Sequence, residues 1–344
     1  MIIKLNVGSM PMNPIIEVKN VSKFFYRKNL FFKQQQKEHI QAVKDVSLSI
    51  FPGDVVGLVG ESGSGKTTLG KLILGLIKLN SGNILIDNID FKKARTKQKK
   101  QIRKNCRMIY QSLDASLNPG MKVLDIIKEP LDIHTHLSKE DKIKRIKEIL
   151  ISVNLDETFL NKLPNSLSGG EKRRVSIARA LVVTPSIIIA DEPLASLDAS
   201  LRYQIIILLQ EIIKKYSLTM IFISHDISSI SHLCNKIIVM YNGNIVEIND
   251  TKELINGSIH HPYTKLLLSS MLDLNRKEIK NQEITIIDEN IIGPEKNEGC
   301  DFVSNCPLYL KFSNNGKCLK EKPILKEISE KHLVQCHYVG SDNE

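Results

Sequence analysis

The sequence has no uninterrupted apolar run approaching the roughly 20 residues a helix needs to span a bilayer. Its opening segment, Met1 to Pro14, lacks the apolar core and cleavage pattern of a secretory signal. A cytosolic chain is therefore expected. Aromatic residues make up 5% of the chain and tryptophan is absent; the densest basic run, Lys92 to Lys104, has no aromatic among its charges. That run reads as a solvated loop rather than a surface on which bases stack, although the formal net charge of +10 would suit an anionic partner. No nucleic-acid partner is expected. The six cysteines include no Cys-x2-Cys pair, the spacing of common zinc sites, and in a reducing compartment they are poor candidates for disulfides. There is no internal repeat. The 344 residues suffice for one large core with an appended piece, or for two modest domains.

What is present is a phosphate-binding pattern, Gly60-Glu61-Ser62-Gly63-Ser64-Gly65-Lys66-Thr67-Thr68. The apolar stretch Asp54 to Val59 enters it and a helical pattern, Leu69 to Ile77, leaves it, so the glycines fall at a strand-to-helix turn. Glycines let successive N–H groups converge on an anion, the helix start adds its positive end, and Lys66 brings a mobile cation. Thr67 is then placed to hold magnesium. Strands are expected at Ile15 to Val18, Val46 to Ile50, Asn83 to Ile86 and Arg107 to Tyr110, followed by two amphipathic helices over 123–153. A helix from Glu171 to Val183 leads to a fully apolar strand, Ile187 to Ala190, and another helix follows. Strands at Thr219 to Ser224, Lys236 to Tyr241 and Asn244 to Ile248 complete an α/β pattern.

Two carboxylates, Asp191 and Glu192, end the apolar strand, where burial of the residues before them draws both acids to the carboxyl edge of the sheet. Asp191 suits the magnesium shell, and Glu192 suits a general base polarising the attacking water. Ser168-Gly169-Gly170-Glu171 opens a second anion-binding helix start, which one phosphate group does not need from the same subunit.

Taken with the P-loop and Asp191-Glu192, this block resembles the ATP-binding subunits of ABC transporters. The resemblance implies a P-loop NTPase cassette with a RecA-like core, a helical subdomain and an antiparallel β part. It implies that Ser168, Gly169, Gly170 and Glu171 reach the γ-phosphate of ATP on a partner subunit, with Asp198 of Ala195-Ser196-Leu197-Asp198 on the dimer interface. Gln111 is similar to the glutamine that touches magnesium and the attacking water, His225 to the switch histidine, and Phe25 to the aromatic that stacks on adenine, with Tyr26 the alternative. Glu171 stands where most of the family has glutamine, and Ala195-Ser196 inverts the common order.

The run Gln111 to Pro119 and the motif His261-Pro262-Tyr263-Thr264 are similar to oligopeptide and dipeptide importers, with nickel importers sharing parts of both. A soluble ABC ATPase outside transport is the less favoured alternative. Expected partners are a paralogous ATPase in a heterodimer, two transmembrane permeases at the cytoplasmic face of the membrane and, indirectly, an extracytoplasmic substrate-binding protein. The expected organisation is a leader over 1–13, a nucleotide-binding domain over 14–257 with its helical insert at about 113–178, and an extension over 258–344 reached through a polar linker, Asn275 to Glu298. Cys106 and Cys234 lie in apolar patterns and read as buried packing. Cys300, Cys306, Cys318 and Cys336 crowd into a segment too short for its own core, which suggests a metal centre. The resemblance implies a 4Fe-4S cluster on these four sulfurs; zinc is the serious alternative and four unligated thiols the plain one.

Overall fold

The computed structural model describes residues 13–26, 39–257, 259–272, 298–311 and 316–339. The expected leader, save its last residue, and the expected linker, save Glu298, lie outside these described residues.

The described residues form two sheets. The antiparallel one joins β1 (Ile16–Tyr26), β2 (His39–Ile50), β4 (Ser81–Ile86) and β5 (Ile89–Asp90) in the order β2-β1-β4-β5, with β3 (Val55–Val59) intervening in the chain. β1 and β2 run further than the sequence pattern indicated. Register shifts between Val18 and Phe24, with Asn20 at φ 49°, break the alternation on which that pattern depends.

The large sheet is completed by β6 (Cys106–Ile109), β7 (Ile187–Asp191), β8 (Thr219–Ser224), β9 (Lys236–Tyr241), β10 (Asn244–Asp250), β11 (Lys326–Ser329) and β12 (His332–Val334). Its order is β11-β12-β10-β9-β3-β8-β7-β6; β9, β3, β8, β7 and β6 are parallel neighbours, and β10 to β12 run antiparallel at one edge. The parallel strands carry side chains into a core on each face, which explains their continuous apolar runs. Ile188, Ala190, Met220 and Phe222 enter one core, and Ile187, Ile189, Ile221 and Ile223 the other.

Helix α1 (Lys66–Ile73) follows β3 and starts three residues earlier than the apolar pattern suggested. The Lys-rich run expected to be a loop forms α2 (Thr96–Asn105). Lysine, arginine and glutamine are good helix formers, and a single buried residue, Ile102, anchors the helix while its charges stay in solvent. The helical insert contains α3 (Leu113–Ser116), α4 (Val123–His134) and α5 (Lys139–Ser152), and leads into α6 (Gly169–Leu181). α7 (Ala199–Tyr216), α8 (Ile227–Ser231), α9 (Thr251–Asn256) and α10 (Pro262–Leu272) complete the helices used below.

The chain's last described segment is not separate from this core. β12 pairs with β10 through Glu247 and Ile248, and Leu333 and Val334 are buried. Phe302, beside Cys300, packs its ring 5.1 Å from that of Tyr241 and 5.6 Å from that of Tyr263. Asp301 accepts hydrogen bonds from Lys44 Nζ at 2.7 Å and Asn244 Nδ2 at 2.8 Å. The boundary drawn at 257 thus crosses a continuous sheet.

Candidate active site

Parallel pairing aligns the carboxyl ends of β3, β8, β7 and β6, and each end delivers part of one site. Ile109 is in register with Ala190, so Gln111 and Glu192, two residues further on, emerge at the same level. Asp191 is in register with Ile223 and Val59 with Ser224, which brings His225 and the phosphate loop to that edge.

The loop's glycines are required by geometry. Gly60 and Gly65 have φ of +147° and +103°, and a Cβ on either would lie 2.1 Å from a carbonyl oxygen, that of Met240 and Ala42 respectively. Lys66 is buried and its Nζ donates to the carbonyls of Gly60 and Glu61, both at 2.6 Å, and to Ser64 Oγ at 3.2 Å. Burial lowers its pKa, while Glu192, Asp191 and Glu61 act in the opposite direction. Thr67 Oγ1 donates to Asp191 Oδ1 at 2.8 Å. Burial raises the Asp191 carboxyl pKa, opposed by that hydroxyl and by Lys71 and Lys66. Hydroxyl, carboxylate and amide oxygens are hard donors that fit magnesium, and Thr67, Asp191 and Gln111 would hold it here.

Glu192 sits at φ +44°, an uncommon conformation for a residue with a long side chain, fixed by its N–H donating to Ile223 O at 2.9 Å. Its carboxylate is held from both sides. Gln111 Nε2 donates to Oε2 at 2.8 Å, and His225 Nδ1 lies 3.1 Å from Oε1. Since a carboxylate only accepts, His225 carries its proton on Nδ1. Four residues singled out from sequence, Gln111, Asp191, Glu192 and His225, thus converge with Lys66 and Thr67.

The remaining calls sit elsewhere. Ser168 and Gly169 are exposed at the start of α6, with Gly170 buried against Leu201. Ser168 Oγ accepts the Glu171 N–H at 3.3 Å and Glu171 Oε2 accepts the Ser168 N–H at 2.7 Å, a reciprocal cap that holds the Glu171 carboxyl below its usual pKa. Asp198 is exposed and caps α7 through the Leu201 N–H at 3.0 Å. Phe25 is on β1, 43% exposed, with Lys23 Nζ 5.0 Å from its ring centroid. Cys106 and Cys234 are buried in the two cores.

Sequence reasoning missed two contributors. Arg173, only 2% exposed, extends from α6 to donate to Tyr110 O at 2.9 Å and Gln111 O at 3.4 Å, tying α6 to the strand end that carries Gln111. Its signal was a base on the stripe of Gly170, Ile177 and Leu181, the face that α6 buries. Tyr263 is fully buried, and its hydroxyl accepts the Glu61 N–H at 2.8 Å, so the His-Pro-Tyr motif touches the phosphate loop.

A model of the ABC transporter family matches residues 43–195, and one for the oligopeptide/dipeptide transporter C-terminal region matches 246–311. An oligopeptide transport ATP-binding protein of Haemophilus influenzae is 37% identical over 327 residues, 94% of this chain and 96% of that protein. This chain belongs to the ABC transporter ATP-binding family. A Bacillus subtilis relative with the same description is 36% identical, covering 94% of this chain and 97% of its own length. Among solved structures, a dimeric ATP-binding cassette bound to ADP and Pi superimposes with a TM-score of 0.60 at 33% identity, covering 69% of this chain and 98% of that one.

Proposed function

We propose that this chain is the ATP-hydrolysing subunit that energises import of oligopeptides or dipeptides through a membrane ABC transporter, docked peripherally on the cytoplasmic face. The observation that carries the catalytic part is the Glu192 carboxylate gripped between Gln111 and His225, one residue beyond Asp191 and its Thr67 contact. Glu192 takes a proton from water attacking the γ-phosphate, Gln111 and His225 fix the carboxylate, and Lys66 balances phosphate charge. Magnesium, when bound, supplies further neutralisation of the phosphate oxygens. The peptide part is supported by the matching C-terminal region and by Tyr263 linking it to the phosphate loop. The relatives described above are named for oligopeptides, which weighs against the nickel alternative. No helix among the described residues is long and apolar enough to cross a membrane, and we assign the pore to two separate permeases.

Exposed Ser168-Gly169 needs a phosphate loop from another subunit, and we assign that role to a paralogous ATPase. Reconstituted with that paralogue, the two permeases and a substrate-binding protein in liposomes, the chain should drive ATP-dependent uptake of a labelled peptide. Uptake of nickel and not of peptide would overturn the reading.

The terminal cysteines suit a 4Fe-4S cluster. The Cys300 N–H donates to the Cys318 carbonyl at 2.8 Å, and Cys306, Cys318 and Cys336 are buried. Four thiols in one segment are the ligand set such a cluster takes, with zinc on the same sulfurs the alternative. Anaerobic purification should give a brown protein with near-equal iron and acid-labile sulfide, lost in Cys318→Ser. A colourless protein with stoichiometric zinc, or with no metal, would exclude it.

A further inference from the structure

Glu247, on β10, is completely buried, yet it is not part of the nucleotide site. Its Oε1 lies 3.0 Å from His260 Nδ1 and 2.9 Å from His332 Nε2, and its Oε2 accepts the His261 N–H at 2.8 Å. Both imidazoles are themselves buried, at 4% and 7% exposure. The three groups come from distant parts of the chain: a core strand, the segment before α10, and the terminal strand β12.

The tautomer of His260 shows what this arrangement needs. Its Nε2 lies 2.9 Å from Gly257 O, and because a carbonyl can only accept, Nε2 carries the proton. In neutral imidazole that leaves a bare lone pair on Nδ1, aimed at a carboxylate oxygen that offers only lone pairs. A positive centre must lie between them, either a second proton or a metal cation. Two further facts favour the metal. The ligand atoms of Glu247, His260 and His332 all lie within 4.8 Å of one another. A histidine whose remote N–H is fixed by a backbone carbonyl is the usual second-shell arrangement of a metal ligand.

We propose that Glu247 Oε1, His260 Nδ1 and His332 Nε2 form a structural site for a zinc-class divalent cation that clamps the terminal strand to the nucleotide-binding core. Two imidazoles and one carboxylate suit zinc and its transition-metal neighbours, whereas magnesium and calcium prefer all-oxygen sets and copper(I) prefers sulfur. The clamp lies three residues before Tyr263, which meets the Glu61 N–H of the phosphate loop. Cation binding therefore steadies the segment on which that contact depends. The site shares no ligand with the four cysteines and does not depend on the proposed transport role.

Zinc binding to the full-length chain tests this. After chelator treatment and re-addition of zinc, metal analysis should show that His260→Gln and His332→Gln each lose one equivalent that Cys306→Ser retains. Zinc should also raise the melting temperature of the wild type and not that of His260→Gln. Histidine variants that retain the full zinc complement would overturn the proposal, as would zinc lost only with the cysteines. Should the histidine variants fail to fold, cobalt(II) in the wild type decides: d–d bands without sulfur-to-metal charge transfer support the site, and spectra of thiolate ligation alone overturn it.

Discussion

Glu192 and Lys66 share one pocket but should fail differently. Glu192→Gln preserves shape and the contact with Gln111 while removing the base, so turnover should fall by roughly 10²- to 10⁴-fold with ATP binding retained. Lys66→Ala should weaken binding and turnover together, because the ammonium acts on phosphates in ground and transition states alike. Single-turnover hydrolysis beside a nucleotide-binding assay separates the two, and wild-type turnover in Glu192→Gln would remove Glu192 from its role. The end of an apolar strand made Asp191 and Glu192 legible in the sequence, whereas Gln111 stood out only through the family resemblance. Arg173 was not legible, because a base inside an amphipathic helix looks solvated until its partners, the carbonyls of Tyr110 and Gln111, are known.

For the elements, capping decides where α6 starts. Ser168→Ala should cost about 1 kcal/mol in urea unfolding, the usual value of a lost N-cap, with Ser168→Thr close to wild type. Glu171→Gln should leave stability nearly unchanged, since an amide oxygen can take the Ser168 N–H as the carboxylate does; the departure from the family's glutamine is therefore conservative for the cap. A larger loss in Glu171→Gln would show that its charge, and not its reach, supports the helix. Strand and helix types were readable wherever apolar spacing was regular, as in β7 and α6. The type was misread in α2, whose single buried residue left no periodicity, and β1 was read as a strand but too short, because the register shifts hide the alternation.

For the whole molecule, the chain end is the decisive piece. Deleting residues 317–344 removes β11 and β12, unpairs Glu247 and Ile248 on β10, and exposes the pocket that buries Leu333 and Val334. Two such side chains contribute about 3–6 kcal/mol, so the truncated chain should melt at a markedly lower temperature or aggregate through its freed sheet edge. An unchanged, monomeric melting transition would mean that the terminal strands are dispensable ornament on the core. The sequence by itself determined the phosphate loop, the carboxylates at the end of β7, the parallel α/β class and the family, because each rests on local chemistry at fixed spacing. Only the tertiary structure decided that Gln111 and His225 hold one carboxylate, that Tyr263 reaches Glu61, and that Glu247 meets two histidines, one of them 85 residues further along the chain. Such contacts depend on strand order and register, which long-range packing sets and which no local pattern of residues encodes.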